Sequence, residues 1–255
     1  MNWIYLAPHL DDAVLSCGGI IWEQVQEGNR VEIWTICAGD PPPGPLSTFA
    51  QAIQNRWQFE ENSPAARRRE DINACRRVGT VYRHFNLPDV IYRWLPDGEP
   101  VIKQNDDLWL PYHPAEESLI QWMCQTFAAN LPNGEVMLVS PLTIGGHSDH
   151  RLVRAATEQF GRPLLYYAHV PYVIQQPQQL ADYTKDMQMG YSHPVTLDGL
   201  VAWQDGVAAY TSQVKGFWST RAELDATLER YCREPGGNGL WTPPENIGSM
   251  TKGKP

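Results

Sequence analysis

Two short stretches of the sequence bring together residue types that do chemistry in combination. Pro8-His9-Leu10-Asp11-Asp12 lies near the amino terminus, and His147-Ser148-Asp149-His150 lies in the second half. Imidazole and carboxylate suit zinc, and a catalytic zinc site usually takes three protein ligands with a fourth position left open. His9, Asp12 and His150 would supply such a set of two histidines and one aspartate. Asp11 would then stand beside the metal without binding it, placed to accept a proton from a water that zinc has made more acidic. His147 would reach the far side of a bound carbonyl, as an imidazolium that stabilises the oxyanion and then protonates a leaving amine. Asp149 would fix the tautomer of His147 and raise its basicity.

Each stretch alone has a plainer explanation. A His-x-x-His pair at a helix start is commonly incidental, and an Asp-Asp after a strand can simply cap the next helix. The elements that carry the two stretches decide between these readings. Residues 3–7 (WIYLA) form a short apolar run, which predicts a buried strand. Residues 14–26 have apolar residues at helical spacing, Gly28-Asn29 breaks them, and residues 31–38 predict a second buried strand. Strand, helix, strand at this length is a βαβ unit, hence a parallel sheet. Residues 135–142 predict another buried strand directly before the second stretch, with a helix over 151–160 behind it. In an open parallel sheet, ligands bind outside the carboxyl ends of the strands. Both stretches therefore belong to one edge of one sheet.

The same reading predicts strands at 80–86 and 163–168 and helices at 65–78, 116–130, 199–212 and 219–232, with a short helix near 48–59. No internal repeat or linker interrupts the chain, so residues 1–255 are expected to form one α/β domain with an irregular tail from about residue 235. His84, His113, His169 and His193 lack neighbours of the kind that surround His9 and His150, and surface or core roles are expected for each.

Composition narrows the class. The chain has 255 residues, 42% hydrophobic and 19% charged, with a net charge of −9. An acidic chain whose densest basic cluster is Arg67, Arg68, Arg69, Arg76 and Arg77 is a poor nucleic-acid binder. No apolar run approaches the ~20 residues of a membrane span, and the amino terminus lacks the pattern of a signal peptide. Five widely spaced cysteines without a CxxC pair point to reduced thiols and the cytoplasm. Cys17-Gly18-Gly19 loosely suggests a nucleotide-binding turn, but the glycine fingerprint is absent and Asp11 and Asp12 would repel a pyrophosphate.

At these motifs the chain resembles the LmbE-like, PIG-L-type N-deacetylase family, whose hallmark is a strand, an (A/P)HPDD segment and a distant HxDH. Leu10 replaces the usual proline. Arg67-x-x-Glu70-x-x-x-Ala74-x-x-x-Val78-Gly79, Pro88-Asp89-x-x-Tyr92-Arg93 and the stretch from Tyr166-Tyr167 to Pro171-Tyr172 also look like a bacterial branch of it. The resemblance implies a Rossmann-like α/β fold, mostly parallel with flanking helices, and one divalent metal per chain, usually zinc. It implies hydrolysis of an acetamide on an amino sugar. It maps metal ligands to His9, Asp12 and His150, the base to Asp11, the electrophilic or acid histidine to His147, and substrate contacts to Arg67 and Asp89.

The plain reading of Arg67 is a helix-surface charge paired with Glu70 or Asp71. Some members carry a Tyr shortly before the second motif, where this chain has Ile144-Gly145-Gly146. The expected partner is a small N-acetylated sugar conjugate, with no nucleic acid and no membrane, and Trp57, Trp94, Trp109 and Asp40 are possible walls for it. An aromatic-rich surface would equally serve a homo-oligomer. Two other readings stay open: a metal- or sugar-binding member that no longer catalyses, and a nucleotide-binding α/β protein.

Overall fold

The computed structural model describes residues 1–57 and 63–246, the side chains of Trp57 and Ser63 excepted. Five segments pair in parallel: β1 (Asn2–Ala7), β2 (Arg30–Thr35), β3 (Val81–His84), β4 (Val136–Pro141) and β5 (Leu164–Tyr167). Two more, β6 (Gln188–Ser192) and β7 (Gly239–Thr242), extend the sheet antiparallel, giving the order β3-β2-β1-β4-β5-β7-β6. β1 lies between β2 and β4, with Ala7 opposite Thr35 and Tyr5 opposite Val139. Ile4, Tyr5, Leu6 and Ala7 are all buried, as a strand covered on both faces requires.

The chain runs outward from β1 through β2 to β3, then returns to the other side of β1 for β4 and β5. The direction of strand order reverses between β1 and β4. At such a switch point the connections leave the sheet on opposite faces and open a crevice at the strands' carboxyl ends. Both motifs follow those two strands.

The helices are α1 (Asp12–Gln26), α2 (Thr48–Trp57), α3 (Ser63–Arg77), α4 (Glu117–Asn130), α5 (Ser148–Gln159), α6 (Tyr172–Gln175), α7 (Gln178–Thr184), α8 (Leu197–Ala208), α9 (Thr211–Val214), α10 (Arg221–Tyr231) and α11 (Pro235–Asn238). α1 and α5 each begin two or three residues earlier than periodicity predicts. Asp12 and His150 therefore sit in first helical turns, rigidly placed, and not in the loops before them. Gly18 and Gly19 fall in the middle of α1, not in a turn. A Cβ at Gly18 would collide with the ring of Trp203 on α8, and one at Gly19 would press on Val195 and on that ring; the Trp203 Nε1 donates to the Val14 carbonyl at 2.7 Å. The glycine pair is a packing notch, which removes the one feature that favoured a nucleotide.

The tail departs from expectation. Residues 235–242 are not irregular: α11 leads into β7, which pairs with β5 at Tyr166 and Trp241 and with β6 along its length. Leu240 and Trp241 are buried there. The five cysteines are unpaired. Among the described residues no helix is long and apolar enough to cross a membrane.

Candidate active site

Asp11 is the N-cap residue of α1, yet its side chain makes no capping hydrogen bond. The helix-cap explanation of Asp11-Asp12 therefore fails, and the Asp11 carboxylate is left for another purpose. It is buried, with Oδ1 3.6 Å from the Arg67 guanidinium. Burial pushes its carboxyl up to about 7, and the positive charge of Arg67 opposes the rise. A carboxylate tuned near neutrality takes and returns a proton readily.

Three donor atoms next to it form a nearly equilateral triangle. His9 Nδ1 and His150 Nε2 are 3.3 Å apart, although 141 positions separate them in sequence. Asp12 Oδ2 is 3.5 Å from each. Zinc bonds of about 2.0–2.1 Å put neighbouring tetrahedral ligands roughly 3.3–3.4 Å apart, so this donor set fits zinc in both chemistry and size. The other nitrogen of His9 confirms the orientation: Nε2 lies 3.0 Å from Asp149 Oδ2. A ligating histidine usually donates its second N–H to a carboxylate in this way, which leaves the first nitrogen bare for a cation.

Asp149 is therefore placed differently from expectation. Its carboxylate is fully buried and turned to His9, to the Val90 amide at 2.9 Å and to the Arg93 guanidinium at 2.6 Å. Burial works against its charge, but Arg93 and His9 outweigh burial and hold the carboxyl well below the usual range. It is the backbone of Asp149, not the carboxylate, that reaches His147: the amide donates to His147 Nδ1 at 3.2 Å. The reason is geometric. His147 is the N-cap of α5 and turns Nδ1 back onto the first helical turn, while the Asp149 side chain points across the crevice.

That cap sets the chemistry of His147. With Nδ1 accepting, the proton of the neutral ring is on Nε2. Burial, and then the neighbouring His9, push His147 down to about 4. The ring is a neutral N–H donor at ordinary pH, not the imidazolium that the sequence led us to expect. A neutral imidazole still polarises a carbonyl.

Arg67 is not a surface charge. It is buried, between Asp11 and Asp89, with Nη1 3.8 Å from Asp89 Oδ2. Glu70 instead binds Thr211 and Ser212, and Asp71 binds His84 and Tyr210. Asp89 caps a short 3-10 turn by accepting from the Ile91 amide, and its other oxygen is 3.7 Å from His9 Nε2. His9, Asp11, Asp12, Arg67, Asp89, His147 and His150 all open into one cavity of about 260 Å³.

Trp109 lines that cavity with its ring edge-on to His147 and to Tyr172, centroids 5.6 and 5.7 Å away. Of the other proposed walls, Trp94 lines a separate groove, Asp40 pairs with Arg68, and the side chain of Trp57 lies outside the described residues. Tyr172, from the chain beyond β5, enters the cavity where a Tyr before the second motif is lacking. Gly145 makes room for it: the residue has φ +88°, and a Cβ there would stand 2.6 Å from the Tyr172 ring.

Sequence reasoning missed two participants. His169 is fully buried and stacks on His150, with ring centroids 4.1 Å apart. It lies just past β5, at the same sheet edge as the two motifs, and that position is the signal that was available. Arg93 closes the family-like stretch Pro88-Asp89-x-x-Tyr92-Arg93, but that stretch gave no hint of its tie to Asp149 and Glu116.

A model of the family described as PIG-L, GlcNAc-PI de-N-acetylase, matches residues 4–160. A 2'-N-acetylparomamine deacetylase from Niallia circulans is 24% identical over 237 residues, covering 87% of this chain and 84% of that protein. Among solved structures, the zinc-inhibited form of teicoplanin deacetylase Orf2 superposes with a TM-score of 0.76 at 25% identity, covering 95% of this chain and 97% of that one. The A40926 pseudoaglycone deacetylase Dbv21 gives 0.69 at 26% identity, over 94% and 96%. With the family's two motifs converging on one crevice and its model spanning more than half the sequence, this chain belongs to the PIG-L family of de-N-acetylases.

Proposed function

We propose that the protein is a zinc-dependent hydrolase that removes the acetyl group from the amide nitrogen of an N-acetylated amino sugar carried in a small conjugate. The observation that carries this reading is the triangle of His9 Nδ1, Asp12 Oδ2 and His150 Nε2 with the uncapped Asp11 carboxylate beside it. A zinc ion held by those three residues supplies Lewis acidity, polarising the amide carbonyl and acidifying water.

The chain's own residues do the rest. Asp11 takes the proton from the attacking water and then gives it to the departing nitrogen, a two-way task that suits a carboxyl near neutrality. His147 offers Nε2–H to the oxygen that gains charge. Its low pKa makes it a hydrogen-bond donor and moves the delivery of the proton to Asp11. Arg67 and Asp89, at the cavity wall, are placed to bind sugar hydroxyls. Trp109 offers the aromatic face on which apolar sugar faces stack. The names of the relatives support a sugar-borne acetamide and set the first substrates to assay, 2'-N-acetylparomamine and teicoplanin-type glycoconjugates.

The test is elemental analysis of wild type and His150→Ala together with acetate release from those compounds. About one zinc per chain, lost in the variant, with acetate released by wild type alone, is the expected result. A zinc-loaded wild type that releases no acetate from any N-acetylated sugar favours the non-catalytic reading.

A further inference from the structure

We propose that His169 is the positioning residue of Asp12: its Nε2–H holds Oδ1 and leaves Oδ2 turned to His9 and His150. The inference rests on the reading that those three residues bind zinc. His169 lies two residues beyond β5 and is fully buried. Its Nε2 is 3.1 Å from Asp12 Oδ1, within hydrogen-bond distance though not fully in line with it. Among the described residues neither ring nitrogen has another hydrogen-bond partner. Leaving a buried polar group without a partner is costly, so a residue present only to fill this space would be apolar. The Asp12 carboxylate is the acceptor within hydrogen-bond distance of the ring.

The two oxygens of Asp12 are divided accordingly. Oδ2 receives the His9 backbone N–H at 2.7 Å and stands 3.5 Å from both His9 Nδ1 and His150 Nε2. Oδ1 faces away from that triangle, toward His169. The ring of His169 also lies nearly parallel to that of His150, 16° between planes, so one side chain braces two of the three ligands. Hydrogen bonds behind a metal ligand typically change affinity 10–100-fold when removed.

The test is zinc affinity by chelator competition on purified wild type, His169→Phe and His169→Gln, with thermal melts of each metal-free protein. Phe keeps the planar volume and loses the donor; Gln returns an amide N–H near the position of Nε2. The expected result is a folded Phe variant that binds zinc about 10–100-fold more weakly, with most of the loss recovered by Gln. A folded Phe variant with wild-type affinity overturns the proposal and reduces His169 to packing. Should Phe not fold, 15N-edited NMR of the zinc-loaded wild type decides: a proton on Nε2 with Nδ1 bare is expected, and a bare Nε2 overturns it. A wild type that binds no zinc overturns the ligand assignment itself, an outcome distinct from any difference between variants.

Discussion

At the residue scale, function depends on which lone pairs and protons are already committed. His9 has Nε2 committed to Asp149, so Nδ1 is free for a cation. His147 has Nδ1 committed to the α5 amide, so Nε2 carries the proton. Asp11 is committed to neither a cap nor a strong ion pair, since its nearest cation is 3.6 Å away. These commitments assign roles more firmly than residue type does, and they predict the consequence of one change. Asp11→Asn keeps the volume and the metal triangle but cannot take a proton. The variant is expected to bind zinc as wild type does while kcat falls by roughly 10²–10⁴. Zinc content and steady-state acetate release on the same preparation check this, and full activity would remove Asp11 from the role of base.

At the element scale, the question is what holds β1, β4 and the segment after β3 in register at their carboxyl ends. The first two are hydrogen-bonded neighbours. The third is tied in by Arg93, whose guanidinium spans Glu116 just before α4 and Asp149 on α5, each at 2.6 Å, and also reaches the Pro88 carbonyl. Removing one partner of a buried pair strands the others, at a cost of about 3–5 kcal/mol. Arg93→Met is therefore expected to destabilise the protein by about that amount in denaturant unfolding. It should also weaken zinc binding about 10–100-fold, because Asp149 would lose the charge that keeps it ready to accept from His9. A variant that is destabilised but binds zinc normally would show that Asp149 orients His9 without help.

Much at this scale was legible beforehand. Apart from the exposed edge strand β3, the parallel strands are largely apolar runs, and the two motifs announce themselves at strand ends. Strands β6 and β7 were not legible. β6 is mostly exposed and has no periodic apolar face, and β7 is four residues long behind a Pro-Gly-Gly turn. Their pairing is stabilised by tertiary contact with β5 and not by local pattern. His169 and Arg93 were missed for a related reason: each acts on a residue distant in sequence, Asp12 and Asp149 respectively. Single-motif reasoning has no access to such pairs, although the place of His169 at a strand's carboxyl end was visible.

At the scale of the whole molecule, the site is a junction. Its proposed metal ligands come from the segments after β1 and β4, braced by a side chain from beyond β5, so a bound cation links parts of the sheet that the chain connects only through long crossovers. Such a ligand binds the folded state and not the unfolded one, and mass action then stabilises the fold. At a zinc concentration 100 times Kd the gain is about 2.7 kcal/mol. For a chain of this size each kcal/mol raises the melting midpoint by roughly 2–4 °C, so a shift of roughly 5–10 °C is expected on loading the metal-free protein. The shift should grow with the logarithm of free zinc above Kd and vanish in His150→Ala. Asp11→Asn, which leaves the ligand triangle intact, should retain it. Melts across a zinc series for these three proteins separate binding from catalysis without any substrate. A wild-type midpoint that ignores zinc would mean that the convergence of His9, Asp12 and His150 serves the fold alone, and the crevice would then need another chemistry.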